Sequence, residues 1–430
     1  MKIIATQSWM KCVCTSAELN LAGWNGLGKN GGSAMLKDFF SKLKNEKFLL
    51  KKFNRQPQFF RSFDLSPYAI RLRDIDELLA AREDWLSEFT TISDDEENWR
   101  SLPRPSRAIP FQLDYIYAEL AAGRIIQISN FHKIHPKVAA LCRQFERQFT
   151  GTISAKAFIV NGSQTFGRPR LEVSGQFIVP IAGQGMLHVY ERQASNPRDW
   201  SRKIFPTDHD LKLLFSEDFL PDCLLYAPGG VPFSFSPRDS LNAWLEISVT
   251  STPVSNALYL GISNMTGADA CFNAPLIGDI NHDAHLLGEA FKRAKLILGK
   301  IEANEISVEL NRHRIARLPE VGFGYFSTQK DLHSIDGETE IATNPLKLAE
   351  VTISDSAIKI YTSSTIYSPL DDHKQPGFFS LPIRVKSEVE FMLNCTEPIK
   401  IKAIPGDLDE KSKILLAREF LKIGILIFAK

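Results

Sequence analysis

Between residues 153 and 249 the hydrophobic pattern has a period of two, and no other feature narrows the fold as much. Short apolar runs stand at 153–160, 176–181, 186–190, 223–227 and 241–249, divided by Gly, Pro, Asp and Ser. Several short alternating runs broken by turn residues predict antiparallel sheets packed as a β-sandwich or jelly roll. On either side the period is helical. Met35, Leu36, Phe39, Phe40 and Leu43 share one face, as do Ile75, Leu78, Leu79 and Trp85 within 66–92. Helices are also predicted over 115–123 and over 136–148, the latter opened by Pro136 and carrying Val138, Leu141, Cys142 and Phe145. Further helices are predicted at 285–300 and 305–316, and two short strands with a closing helix at 411–421 fill the tail from 345. The pattern is α+β.

Size and composition exclude several classes. A chain of 430 residues is long enough for two or three compact units, and 44% hydrophobic with 23% charged residues is the balance of a globular protein. Lys and Arg number 51 against 50 Asp and Glu, a net charge of +1, so nucleic-acid binding would need a local patch. The stripe Arg312–His313–Arg314 with Arg317 is one such patch, read first as a solvated helix face. The tail from 345 carries twelve Lys and Arg against eleven Asp and Glu, which argues against phosphate binding there. Six cysteines are too few for a disulfide scaffold, and Cys12–Val13–Cys14 has one spacer where a zinc knuckle has two or more. No run has signal-peptide or membrane-span length, so a cytoplasmic protein is expected. Gly26 to Gly32 is glycine-rich without the order of a P-loop.

Four stretches together carry a resemblance. The first is Ile125–Ile126–Gln127–Ile128–Ser129–Asn130–Phe131–His132–Lys133–Ile134–His135–Pro136, running into Val138–Ala139–Ala140–Leu141–Cys142. The second is Gly162–Ser163–Gln164–Thr165–Phe166–Gly167, continued by Phe177–Ile178–Val179, Ala182–Gly183 and Val189–Tyr190–Glu191. The third is Leu224–Leu225–Tyr226–Ala227–Pro228–Gly229–Gly230–Val231–Pro232–Phe233, and the fourth runs from Leu415 to Leu426. In this order they resemble the cupin-fold Jumonji-type (JmjC) oxygenases, in the branch that includes ribosomal-protein hydroxylases. The resemblance implies a double-stranded β-helix with a helical dimerisation segment and a C-terminal winged-helix-like domain. The expected division is an arm over 1–33, the JmjC-like domain over 34–260, a helical connector and dimerisation segment over 261–344, and the winged-helix-like domain over 345–430.

That family holds iron through a His-x-Asp pair on one strand and a later His. Residues i and i+2 of a strand share a face, and two His with one carboxylate leave sites open on Fe(II) for 2-oxoglutarate and oxygen. In this chain the resemblance puts Arg170 and Glu172 at the pair, Phe233 at the distal His and Gly185 at the 2-oxoglutarate anchor. A guanidinium has no free lone pair and a phenyl ring no donor atom. The expectation is therefore a site without metal or cofactor, lined by Phe233, Gly185, Lys156 and Asn242.

Arg170 and Glu172 are open to two interpretations, an anion- or peptide-binding pair or a salt bridge filling the pocket. Were the site catalytic, Glu172 would be the general base, Arg170 the electrostatic stabiliser, and His188 with Tyr190 an acid–base pair. A strand His is alternatively a hydrogen-bonded structural residue, and Lys156 a solvated rim lysine. The pairs His132/His135 and His282/His285, the latter near Asp279 and Asp283, have spacing that suits zinc but lie at helix starts, where they also serve as caps. Cys223 beside its apolar run is expected to be a core cysteine. Three functions follow: a relative of the hydroxylases that binds a peptide or protein segment in the former active-site groove, a pseudoenzyme; a metal-independent peptide-tailoring isomerase or cyclase; or an Fe(II)/2-oxoglutarate hydroxylase with other ligands. The resemblance implies a homodimer through the helical connector, and the apolar run Leu286, Leu287, Phe291 and Leu296 is compatible with such an interface.

Overall fold

A computed structural model describes residues 48–61, 70–81, 86–94, 98–104, 111–162, 169–192, 211–238, 241–266, 272, 280–299, 302–318, 328, 330–344, 347–362, 378–395 and 397–429. The arm over 1–33, the helix expected at 35–43, Cys12, Cys14, Cys271, Asp279 and most of Gly162–Gly167 lie outside them. The chain divides after Ser251 into two compact units.

The unit before Thr252 is built on two antiparallel sheets. Its strands are β1 (Gln58–Phe60), β2 (Thr90–Ser93), β3 (Arg100–Ser101), β4 (Ile125–Ile128), β5 (Gly151–Asn161), β6 (Gly175–Ala182), β7 (Gly185–Tyr190), β8 (Leu213–Phe219), β9 (Leu224–Ala227), β10 (Phe233–Pro237) and β11 (Leu241–Ser251). The larger sheet runs β1-β9-β6-β11-β5-β4-β2-β3 and the smaller β10-β7-β8. Alternation sorts the side chains of β11 into two cores. Ala243, Leu245, Ile247 and Val249 join the core under the helices, while Trp244 joins the core between the sheets. The inter-sheet core takes Phe158 and Val160 from β5, Leu187 and Val189 from β7, and Phe233 and Phe235 from β10.

The helices of this unit are α1 (Phe48–Lys51), α2 (Leu72–Ala81), α3 (Leu86–Phe89), α4 (Gln112–Ala121), α5 (Phe131–Ile134) and α6 (Pro136–Gln148). Phe145 of α6 meets Phe177 of β6 edge-on at 4.9 Å, which seats the helix on the larger sheet. Pro136 occupies the first turn, and His135 before it accepts the Val138 N–H at 3.4 Å through Nδ1. His132 accepts the Ala155 N–H at 3.1 Å. Both histidines are therefore structural acceptors.

The second unit continues with α7 (Val254–Thr266), α8 (Ile280–Leu298) and α9 (Ala303–Arg317). It closes on two three-stranded antiparallel sheets. One orders β16 (Ile399–Lys400), β12 (Glu340–Thr343) and β17 (Leu426–Phe428); the other orders β13 (Ala349–Ile353), β14 (Ala357–Thr362) and β15 (Phe378–Pro382). Two helices, α10 (Lys386–Asn394) and α11 (Glu410–Lys422), complete its core with Val389, Met392, Phe420 and Leu421. The tail thus holds more strands than the pattern announced. Arg312 is not on a solvated face: its guanidinium lies 4.4 Å from the Tyr361 ring centroid and pairs with Glu309 at 2.9 Å. Among the described residues no helix is long and apolar enough to cross a membrane.

Candidate functional site

The two sheets meet around one buried cation. Arg170 forms an isolated antiparallel bridge to Phe233, with Arg170 N–H donating to Phe233 O at 2.9 Å and Phe233 N–H to Arg170 O at 3.1 Å. That bridge fixes the backbone of Arg170 at the start of β10. Its guanidinium carbon stands 4.9 Å from the Phe158 ring centroid and 4.7 Å from that of Phe233. Two aromatic faces thus flank the cation, and a planar guanidinium suits such stacking.

The carboxylate that neutralises it is Glu246, which pairs with Arg170. Trp244 Nε1–H also donates to Glu246 Oε1 at 2.7 Å. Trp244 in turn stacks on Phe158 at 5.4 Å with the rings 9° apart. The side chain of Glu246 is 3% exposed and that of Arg170 is 11%. A charge taken out of water to this degree requires a partner and hydrogen bonds to its remaining polar atoms. Arg170 supplies the partner charge and Trp244 a hydrogen bond, both at Glu246 Oε1.

The expected salt bridge therefore has a different acid. Glu172 is half-buried, and its carbonyl accepts the Gly230 N–H at 2.9 Å. Gly230 sits at φ +80°, the left-handed region that glycine adopts without strain, so the turn after Pro228 can pack against the chain at Glu172. Glu246 was legible only in part. It stands in the run 241–249 as a charged residue on the face shared with Asn242 and Trp244, and that alternation is the sequence signal.

The other expected pocket residues divide into two groups. Lys156 lies directly opposite Glu246 in the β5–β11 register and is half-buried. Asn242 is 1% exposed, opposite Val160, and packs so closely on the β6–β7 turn that a Cβ at Gly183 would collide with its Oδ1. Phe233 is buried against the guanidinium, and a Cβ at Gly185 would collide with the Phe235 ring. These residues share the inter-sheet side with Arg170. His188 and Tyr190 do not. Leu187 and Val189 point into the inter-sheet core, so alternation puts His188 and Tyr190 on the outer face of the smaller sheet. There His188 Nδ1 lies 2.8 Å from Ser216 Oγ and Tyr190 OH 3.3 Å from Ser234 Oγ. Partial burial holds the His188 imidazole below its usual pKa. The expected acid–base pair is thus separated from Arg170 by a strand's thickness.

Cys223 is a buried core residue whose thiol is pushed up by burial, the reverse of an activated nucleophile. Among the described residues no three His, Cys, Asp or Glu side chains gather where a metal ion would be held. Residues 170 and 233 do not fit a divalent ion, since neither side chain offers a lone pair.

No protein-family model matches the chain, and no curated protein matches it in sequence. Solved structures do match its fold. The crystal structure of YcfD from Escherichia coli superposes with a TM-score of 0.53 at 13% identity, covering 89% of this chain and 98% of that one. YcfD, a ribosomal oxygenase from Escherichia coli, in complex with cobalt and 2-oxoglutarate gives 0.54 at 14% identity, covering 90% and 99%. Its complex with cobalt and succinic acid gives 0.54 at 13%, with the same coverage. The chain therefore has the cupin/JmjC fold of that oxygenase along nearly its whole length. The expectation of a site without metal or cofactor is overturned by the two complexes, because the fold it shares is one that holds a metal together with 2-oxoglutarate or succinate. What chemistry disfavours is narrower: Arg170 and Phe233 as the donors.

Proposed function

We propose that this protein is a JmjC-fold relative of the protein hydroxylases that binds a peptide or protein segment at the mouth of its double-stranded β-helix, with Arg170 reading an acidic group of that segment. The observation that supports this most is the placement of Arg170. A permanent cation stands between two aromatic rings where the two sheets meet, held by a backbone bridge rather than by a flexible loop. Arginine in such a setting suits carboxylate recognition, by charge and by its planar fork of donors. The protein substrate implied by the name of the ribosomal oxygenase YcfD agrees with a polypeptide ligand, as analogy of fold only. The test is isothermal titration of an acidic peptide against the wild type and Arg170→Met. Binding lost in the variant supports the reading, and equal binding by both ends it.

The cobalt and 2-oxoglutarate complexes favour a second reading, an oxygenase whose metal donors are residues other than 170 and 233. Metal analysis after iron loading, with succinate formation from 2-oxoglutarate, decides it. The metal-independent tailoring enzyme would have to work with Glu172 and Arg170 alone, because His188 and Tyr190 face away; Glu172→Gln would then abolish product while leaving binding intact.

The helical segment over 261–344 is proposed as the dimer contact. Leu287, Phe291 and Leu296 of α8 are large apolar side chains left exposed, more than a solvated helix needs. The tail over 345–430 is proposed as winged-helix-like.

A further inference from the structure

Resting on the reading of Arg170 as an anion receptor, we infer that Glu246 is the resident occupant of a carboxylate site, which an incoming peptide carboxylate takes over while Glu246 transfers to Lys156. The site is already built for that group. Two donors of different kind, the Arg170 guanidinium and the Trp244 indole N–H, meet on a single carboxylate oxygen. Two donors on one planar oxyanion suit a carboxylate, whereas a phosphate presents more oxygens than this pair can satisfy. Trp244 is held in turn by its stack on Phe158, so the donor stays in place when the occupant changes.

Exchange of a buried ion pair is costly unless each charge keeps a partner. Lys156 supplies that partner. It is the cross-strand neighbour of Glu246 in an antiparallel pair, on the same face of the larger sheet. Side chains directly opposite one another have Cβ atoms about 4.5–5.5 Å apart, within reach of a long lysine side chain by rotamer change alone. Before exchange the pair is Arg170–Glu246, with Lys156 half-buried opposite Glu246 on the neighbouring strand. After it the pairs are Arg170–ligand and Lys156–Glu246. No charge is left unpaired, and the ligand's carboxylate supplies the one extra negative charge that Lys156 balances. The ligand class is therefore a polypeptide carboxylate, an Asp or Glu side chain or a free C-terminus. Specificity against amides follows because an amide cannot neutralise Arg170 once Glu246 has left.

The probes are the peptide acetyl-Gly-Asp-Gly-amide, its Asn counterpart, and acetyl-Gly-Gly with a free C-terminus, titrated calorimetrically against the full chain. The Asp and free-carboxylate peptides are expected to bind the wild type and the Asn peptide not to bind. Glu246→Gln removes the competitor and is expected to tighten binding at least about tenfold. Lys156→Met leaves the resident pair intact but removes its alternative partner, and is expected to weaken binding about tenfold. Circular dichroism melts establish that each variant is folded; if Glu246→Gln is not, Lys156→Met decides alone. Unchanged affinity in Lys156→Met, or no gain in a folded Glu246→Gln, overturns the exchange while leaving Arg170 as a receptor. No binding of either carboxylate peptide to the wild type or to any variant overturns the receptor reading and the exchange together.

Discussion

At the scale of single residues, the inter-sheet core is a case where pairing matters more than placement. Arg170→Met takes away the resident partner of the buried Glu246 carboxylate, and removing one member of a buried pair costs up to about 3–5 kcal/mol, less where Glu246 turns to Lys156. Urea denaturation of that variant should show a loss of this order, and the double variant Arg170→Met/Glu246→Leu should recover much of it. If the single variant is as stable as the wild type, the pair is not a source of cohesion. His132 and His135 make an opposite point about charge. Burial holds both imidazoles below their usual pKa, and each accepts a backbone N–H that a protonated nitrogen could not accept. The unfolded chain therefore binds protons at a higher pH than the folded one. Stability that is full above about pH 6.5 should fall as the pH drops below it toward the lowered folded values. Urea midpoints from pH 8 to pH 5 should decline, and His132→Gln should flatten part of that slope.

At the scale of elements, the joint between α9 and the sheet β13-β14-β15 is polar where a core would be apolar. Glu350 and Tyr361 are cross-strand partners on the face opposite Val351 and Ile360, and Arg312 stacks on that tyrosine. Burial raises the Glu350 carboxyl against the lowering effect of Arg314 and Arg312, so desolvation outweighs ion pairing there. A carboxyl raised in the folded state costs stability once it is ionised at neutral pH. Glu350→Gln should accordingly raise the melting temperature at pH 7 by roughly a degree or two, with the difference shrinking toward pH 4. A lowered melting temperature at pH 7 would mean that the arginine contacts win instead. The turn from β6 in the larger sheet to β7 in the smaller one is constrained in another way. Gly185→Ala would drive a methyl group into the Phe235 ring and the Ser236 carbonyl, and overpacking of this kind costs about 1–3 kcal/mol, readable in the same urea titration.

At the scale of the whole molecule, the question is which surfaces are kept for other chains. The exposed Phe291 and Leu287 lie four residues apart on α8, on one helical face. Phe291→Glu should shift the protein from dimer to monomer in sedimentation at micromolar concentration, without changing peptide affinity at Arg170. A wild type that sediments as a monomer removes the proposed contact. Similarity to the ribosomal oxygenase in fold, at 13–14% identity, leaves this chain free to differ in its site chemistry while keeping its architecture.

How much could be read beforehand follows from the range of the forces involved. Periodicity is local, and it located β5, β6, β7, β9 and β11, the helix over 136–148 to its last residue, and the two connector helices to within a few residues. It missed β8 and β10, because Leu213–Phe219 mixes acids with apolar residues and Phe233–Pro237 is too short and serine-rich to announce itself. The expectation of Arg170 in the pocket came from the family resemblance, and the inability of Arg170 and Phe233 to bind a metal followed from residue chemistry alone. The partner of Arg170 was not. Glu246 is distant along the chain and Glu172 is near, so local reasoning favours Glu172, yet the closing of two sheets over one core brings Glu246 to the guanidinium. Which way His188 and Tyr190 point also waited on the sheet, since alternation says only that they share a side and the packing of Leu187 and Val189 says which side is inside. Chain-local preferences settle what each segment becomes; only burial, which is collective, settles which side chains are left to meet.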